Sequence, residues 1–162
     1  MIKHTKVRKV ISLTTFTGTT AFTGTKNFTL NEMRCKDGTF PKDMAPLIKH
    51  ANRMQTLRDW YRKPMIVNSW YRSPSHNAKV GGVKNSRHLT GEACDISLPK
   101  EFHTFTAARK QEWVYNMSTK WHKICGGGGG FGIYDTFMHI DSRPNYTNFD
   151  YRKKKDYTVK WK

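Results

Sequence analysis

The chain has 162 residues, 36% of them apolar and 13% aromatic. Against roughly 100 to 200 residues per domain, that length makes one domain, with bulky side chains enough to close a core, and it excludes a two-domain enzyme or a wholly disordered chain. The 29 Lys and Arg against 12 Asp and Glu leave a net charge of +17, a field that holds polyanions: nucleic acid, anionic cell-wall polymer or acidic membrane. No run approaches the roughly 18 apolar residues of a membrane span, and three cysteines without a C-x-x-C pair indicate neither a disulfide framework nor a thiolate zinc knuckle.

Residues 1–26 read as a basic arm, with five basic and no acidic side chains. Within it Phe16-Thr-Gly-Thr and Phe22-Thr-Gly-Thr recur six residues apart, and Phe28-Thr follows at the same interval. Thr and Phe favour strands while Gly breaks them, so an extended arm or short hairpin is expected. The first ten residues have the basic look of a secretory n-region. Five Thr and one Gly interrupt Ile11 to Phe22, however, and no cleaved signal is expected.

Asp43 can cap a helix with Pro46 in its first turn, and Leu47, Ala51, Met54, Leu57 and Tyr61 follow at helical spacing as far as Pro64. Met65 to Tyr71 reads as a strand that leaves in a turn at Arg72-Ser73-Pro74-Ser75. Cys94, Ile96 and Leu98 alternate with Ala93, Asp95 and Ser97, which predicts a second strand with two different faces. Thr106 caps another helix to about His122, with Trp113, Met117 and Trp121 on its buried stripe. Gly126 to Gly130 interrupt the chain before two short strand-like runs, Phe131 to Tyr134 and Phe137 to Asp141. Residues 145–162, with six basic and two acidic side chains, read as a basic tail.

Strands and helices mix without regular β-α-β alternation. The expected architecture is therefore a single α+β domain, a mainly antiparallel sheet with flanking helices. Three segments are expected: the arm 1–26, a central domain 27–144 and the tail 145–162.

Chemistry concentrates in Ser86-Arg-His88-Leu-Thr-Gly91-Glu-Ala93-Cys-Asp95-Ile96 and, further on, Met138-His139-Ile-Asp141. His88 lies in a polar, glycine-bearing loop and Asp95 on one face of a strand. His139 and Asp141 share a face of another, since residues two apart in a strand point the same way. Two imidazoles and one carboxylate suit catalytic zinc, which takes three N or O ligands and leaves the fourth position to water. Spacing alone is a weak signal among seven histidines, and a surface-loop His beside a buried, hydrogen-bonded His accounts for it equally.

The whole pattern says more. His88-x-x-Gly91-x-Ala93-x-Asp95-Ile96, with Tyr71-Arg72-Ser73-Pro74 upstream and Phe137-x-His139-x-Asp141 downstream, resembles the zinc D-Ala-D-Ala carboxypeptidase family, whose relatives include phage L-alanyl-D-glutamate endolysins. The resemblance runs from about Asn27 to Pro144. It implies a peptidoglycan-cleaving metallopeptidase of the α+β fold shared with hedgehog-like and lysostaphin-like domains, with Zn2+ held by His88, Asp95 and His139. Arg72 matches the family arginine that engages substrate, and a guanidinium suits a stem-peptide carboxylate or carbonyl. Ser86 also matches the motif, as a hydrogen-bond donor near the site; a turn-forming serine is as good an account.

The family places Glu, Asp or His two or three residues before the last ligand, where this chain has Phe137 and Thr136. Asp135 and Asp141 remain as candidate catalytic carboxylates. Asp135 serves if the turn near Thr136 shifts the register, whereas Asp141 is either the base or a group that orients an imidazole or Arg. His76 and His103 read as surface residues and His122 as structural.

The resemblance implies a peptidoglycan stem peptide as substrate, cut in D-Ala-D-Ala carboxypeptidase or L-Ala-D-Glu endopeptidase fashion. The basic arms suit anionic cell-wall polymers. Nucleic acid is disfavoured, because most aromatics sit at core periods instead of interleaving with Lys and Arg. A phage or prophage lysin held in the host cytoplasm until lysis, or carried in a phage particle, is the expected setting. The missing carboxylate keeps open a non-catalytic protein that binds wall peptides or polyanions.

Overall fold

The computed structural model describes residues 22–161. Helix α1 (Leu30–Met33) carries a capping box at its start, in which the Thr29 side chain and the backbone N–H of Glu32 pair while the Glu32 carboxylate reaches back to the Thr29 N–H. Helix α2 (Ala45–Tyr61) begins where the Asp43 carboxylate accepts the Ala45 N–H at 2.9 Å. It buries Leu47, His50, Ala51, Met54 and Leu57, and it ends at Arg62, whose left-handed backbone (φ 58°) closes the last turn onto the Arg58 carbonyl. Strand β1 (Val67–Ser69) is shorter than expected. The turn expected at residues 72–75 instead opens helix α3 (Pro74–Lys79), because Ser73 accepts the His76 N–H and Pro74 has its φ already set for a first turn.

Strand β2 (Ala93–Ser97), helix α4 (Ala107–Ile124), strand β3 (Gly130–Ile133) and strand β4 (Phe137–Asp141) follow close to their expected positions. Thr106 caps α4, with Val114, Met117 and Trp121 buried and Trp113 half-buried. The sheet order is β1-β2-β4-β3-β5, antiparallel through the first four strands, and β5 (Thr147–Asp150) joins parallel to β3. The α+β, mainly antiparallel reading is borne out.

The expected basic tail is built into this domain. Besides supplying β5, it buries Arg152 between Asp150 and the Tyr157 carbonyl, and it packs Tyr157, Val159 and Trp161 onto the core. Of the expected arm, residues 1–21 lie outside the described residues. Its end is tied down by a bridge from Gly24 to Thr29 and by Phe22 against the core. No helix among the described residues is long and apolar enough to cross a membrane.

Strand register sorts the sheet into two faces. Cys94, Ile140 and Phe131 align across the strands, as do Ile96, Met138 and Ile133, and all six lie in the core. On the opposite face Asp95, His139, Gly132 and Phe149 form one row, with Ala93, Asp141, Gly130 and Thr147 beside it. Functional chemistry is confined to this second face.

Candidate metal centre and active site

Three donor atoms converge there. His139 Nδ1 lies 3.0 Å from Asp95 Oδ1, and His88 Nε2 lies 3.3 Å from each of them. They are the one group of three or more His, Cys, Asp or Glu among the described residues arranged to hold a metal ion. Ligands held tetrahedrally at zinc's roughly 2.0–2.2 Å stand about 3.3 Å apart, so the observed spacing fits one face of such a shell.

The hydrogen-bond partners of the two imidazoles agree with that fit. His88 Nδ1 lies 2.5 Å from the Trp70 carbonyl, which can only accept, so Nδ1 carries the proton and Nε2 is left bare. His139 has an acceptor-only oxygen on each side, Asp141 Oδ2 at 3.0 Å from Nε2 and Asp95 Oδ1 at 3.0 Å from Nδ1; with its proton on Nε2, Nδ1 is free to ligate a cation. In these tautomers two lone pairs and a carboxylate oxygen face one another at 3.0 to 3.3 Å, an arrangement that suits a cation between them.

Local sequence explains each placement. His88 sits in a short 3-10 turn capped by Ser86, whose hydroxyl accepts the His88 N–H at 3.3 Å; the turn-forming account of Ser86 describes its contact. The turn ends at Gly91, left-handed (φ 77°) and pressed so close that a Cβ would lie 2.7 Å from Leu47. Trp70 Nε1 holds the Gly91 carbonyl at 2.9 Å, fixing the loop from the β1 side.

The electrostatics follow from burial and pairing. Burial pushes the His88 imidazole down, with Asp95 partly opposing. Burial also opposes protonation of His139, but hydrogen bonds to Asp141 and Asp95 outweigh it and raise that group. Both carboxylates would be raised by burial, yet the histidines beside them, and Arg143 beside Asp141, hold them well below the usual range. Arg72 grips Asp95 Oδ2 and steadies itself on Ser69 Oγ at 2.9 Å.

The trio lines a cleft of about 540 Å3 together with residues of the 80–88 segment and with Tyr134, Phe137, Phe149 and Tyr151. Arg72, Arg87 and Arg143 add three cations, and Asp95 is the sole carboxylate in the lining. A second hollow of about 270 Å3 continues past Arg72, Asp95 and Phe137 toward Asn68 and His76.

Of the sequence-predicted site residues, His88, Asp95, His139, Arg72 and Ser86 come together, and Asp135 does not. Its carboxylate sits on the β3–β4 turn, accepts the backbone N–H groups of Lys153 and Lys154 at 3.1 and 3.2 Å, and takes no part in the cleft lining. The reading of Asp135 as base is corrected accordingly: the C-terminal segment, distant in sequence, claims its oxygens. Asp141 is fully buried behind His139 and held by the Arg143 guanidinium, with contacts at 2.8 Å from Nε and 2.6 Å from Nη2. It has the orienting geometry and offers no oxygen to the cleft.

His122 is structural as expected, bonded to the Gly128 carbonyl and Asn148. His103 is exposed and His76 half-buried. Sequence reasoning missed Arg143, Phe149 and Tyr151, although alternation of Thr147, Phe149 and Tyr151 with Asn148 and Asp150 was a strand signal. It also missed His50, buried under the site between Trp70 and Trp121, with ring nitrogens 2.8 Å from Ser142 Oγ and 3.4 Å from Cys94 Sγ.

The fold and site define a class: an α+β domain whose sheet carries a His-Asp-His metal-binding trio in an open cleft. The model of the Peptidase M15 family matches residues 26–141, and the chain belongs to that family. It is also similar to the zinc D-Ala-D-Ala carboxypeptidase of Streptomyces albus G, at 35% identity over 78 residues that cover 43% of this chain and 31% of that protein. The match thus spans about a third of that relative's length. The resemblance read from the motifs is borne out. Strand β5 lies beyond the family match.

Proposed function

We propose that the chain is a zinc-dependent peptidase that hydrolyses an amide bond in peptidoglycan stem peptides. The observation that carries this reading is the convergence of three potential ligand atoms, from His88, Asp95 and His139, at 3.0 to 3.3 Å in an open cleft of a Peptidase M15 chain. The named activity of the Streptomyces relative supports both metal and substrate class.

In this reading His88, Asp95 and His139 hold the zinc. When bound, zinc supplies a Lewis acid that polarises a carbonyl and activates water near neutral pH. The Trp70 carbonyl and Asp141 fix the two imidazoles in the tautomers that present bare nitrogens. Arg72, held by Asp95 and Ser69 at the junction of the two hollows, engages a substrate carboxylate or carbonyl and orients the peptide.

Hollows on both sides of Arg72 favour a substrate that continues past the scissile bond, and so the endopeptidase type over the carboxypeptidase type. Digestion of defined muropeptides read by mass spectrometry tests this: splitting of L-Ala from D-Glu is expected, and loss of a single D-Ala would reverse the assignment. The net charge of +17 supports retention on anionic wall polymers, and with the resemblance to endolysins it supports the role of a phage or prophage lysin.

Chelation is expected to abolish stem-peptide hydrolysis and added zinc to restore it. Hydrolysis unaffected by chelator or by His88→Ala overturns the proposal. A second reading, a non-catalytic wall-peptide binder, is favoured by the absence of any carboxylate other than Asp95 in the cleft lining. Stoichiometric zinc without turnover of any muropeptide would establish it.

A further inference from the structure

The peptidase reading does not use the rings on the β5 side of the cleft. Phe137 and Tyr134 stack at 4.2 Å with an interplanar angle of 12°, Tyr134 lies 5.5 Å from Tyr151, Tyr151 lies 5.2 Å from Phe149, and Phe149 lies 5.6 Å from His139. A continuous aromatic wall thus runs from a metal-binding imidazole to the surface, where Tyr151 is 64% exposed. In the same cleft Val80 and Val83 stand 51% and 72% exposed. A half-buried row of rings ending in an exposed tyrosine, in one cleft with exposed aliphatic groups, marks a place where something binds.

The chemistry of the occupant follows from what the wall offers. A stem peptide presents alanine methyls and carboxylates, which supply little apolar area for four rings. A pyranose presents a flat face of C–H groups and an edge of hydroxyls. It matches a wet tyrosine ring, apolar in body and polar at its tip. The Arg143 guanidinium, 5.9 Å from the Phe149 ring centroid and held by Asp141, brings hydrogen-bond donors to the same wall, suited to the lactyl carbonyl of a muramic acid, which is an amide where the stem peptide is joined.

The geometry points to a saccharide subsite: Tyr151 and Phe149 of the C-terminal segment, with Arg143, bind the N-acetylmuramic-acid-containing disaccharide to which the stem peptide is attached. The inference rests on the peptidoglycan reading of the same site and deepens it. It makes residues 143–151, which follow the family match, the part of this chain that distinguishes a glycan-linked peptide from a free one.

The test uses the full chain and two readouts. Titration of the peptide-free disaccharide N-acetylglucosaminyl-N-acetylmuramic acid, followed by NMR, requires no catalysis and remains informative if the peptidase reading fails. Saturable binding is expected, weakened about tenfold or more by Tyr151→Ala and retained by Tyr151→Trp. The second readout is the ratio of kcat/KM for disaccharide-linked peptide to that for free peptide, expected to fall about tenfold in Tyr151→Ala. Absence of saturable disaccharide binding by the unmodified chain, or a ratio unchanged in Tyr151→Ala, overturns the inference. If the alanine variant does not fold, disaccharide binding by the unmodified chain and by Tyr151→Trp still decides it.

Discussion

The Phe149 ring occupies the space in which any side chain at Gly132 would begin: a Cβ there would lie 1.9 Å from the ring. The two residues are paired across the parallel β3–β5 ladder, and Gly132 is paired on its other side with His139. A missing side chain thus lets an aromatic ring reach sideways across a strand to a metal-binding imidazole.

Gly132→Ala is expected to destabilise the fold by about 1 to 3 kcal/mol, because the ring has to leave its place. The backbone at 132 is not in the left-handed region, so the clash is with the ring alone. Phe149→Ala in the same chain should relieve part of the cost. Denaturant unfolding of the two single variants and the double variant checks this, and strictly additive effects would contradict it.

Asp141→Asn keeps an acceptor for His139 but removes the charge that holds Arg143. Zinc affinity should drop about 10- to 100-fold, the usual cost of losing a partner that orients a ligand. Competition with a chromogenic chelator measures it.

Arg72→Ala should lower kcat/KM on stem peptides by about 10- to 100-fold, corresponding to one lost charge-assisted hydrogen bond of roughly 1.5 to 3 kcal/mol. Arg72→Lys should recover only part, since a point charge does not replace a planar fork. Zinc content measured on both variants separates substrate contact from the grip of Arg72 on Asp95.

Acid should weaken the fold through His50. Burial among aromatic rings pulls its pKa from the ordinary 6.5 down to about 3. Between these values the unfolded chain binds a proton that the folded chain refuses, so this contribution to stability is present above pH 6.5 and is lost as pH falls toward 3. The slope is at most about 1.4 kcal/mol per pH unit. Raised His139 works in the opposite sense, favouring the fold below its ordinary value. Comparing unfolding of the unmodified chain with His50→Gln from pH 7 to 4 isolates the His50 share, and equal slopes would contradict it.

Much of this was legible in the sequence because it was local. Alternation around Asp95 marked the two faces of β2, and Asp43 and Thr106 marked the starts of α2 and α4. The motif residues His88, Asp95, His139 and Arg72 meet as the family resemblance implied. What escaped depended on long-range pairing. β5 is placed by β3, and its short Thr-Asn-Phe-Asp run beside a lysine cluster looked like a solvated tail. Asp135 stands at a plausible distance from His139 in sequence, yet its oxygens are committed to the backbone of residues 153 and 154. His50 shares the helical face of Leu47, Ala51 and Met54, and its burial rests on partners distant in sequence, Ser142 and Cys94.

Strand order also fixes a sequence of events. The chain is synthesised from its N-terminus, and elements fold as they emerge. Once His139 has left the ribosome all three donor residues exist, but Phe149 and Tyr151 come later and reach their places only by adding to the outer side of β3. A nascent chain therefore holds its metal-binding residues, with Tyr134 and Phe137, before it has Phe149 and Tyr151, and a strand made after the ligands is the one that completes the wall.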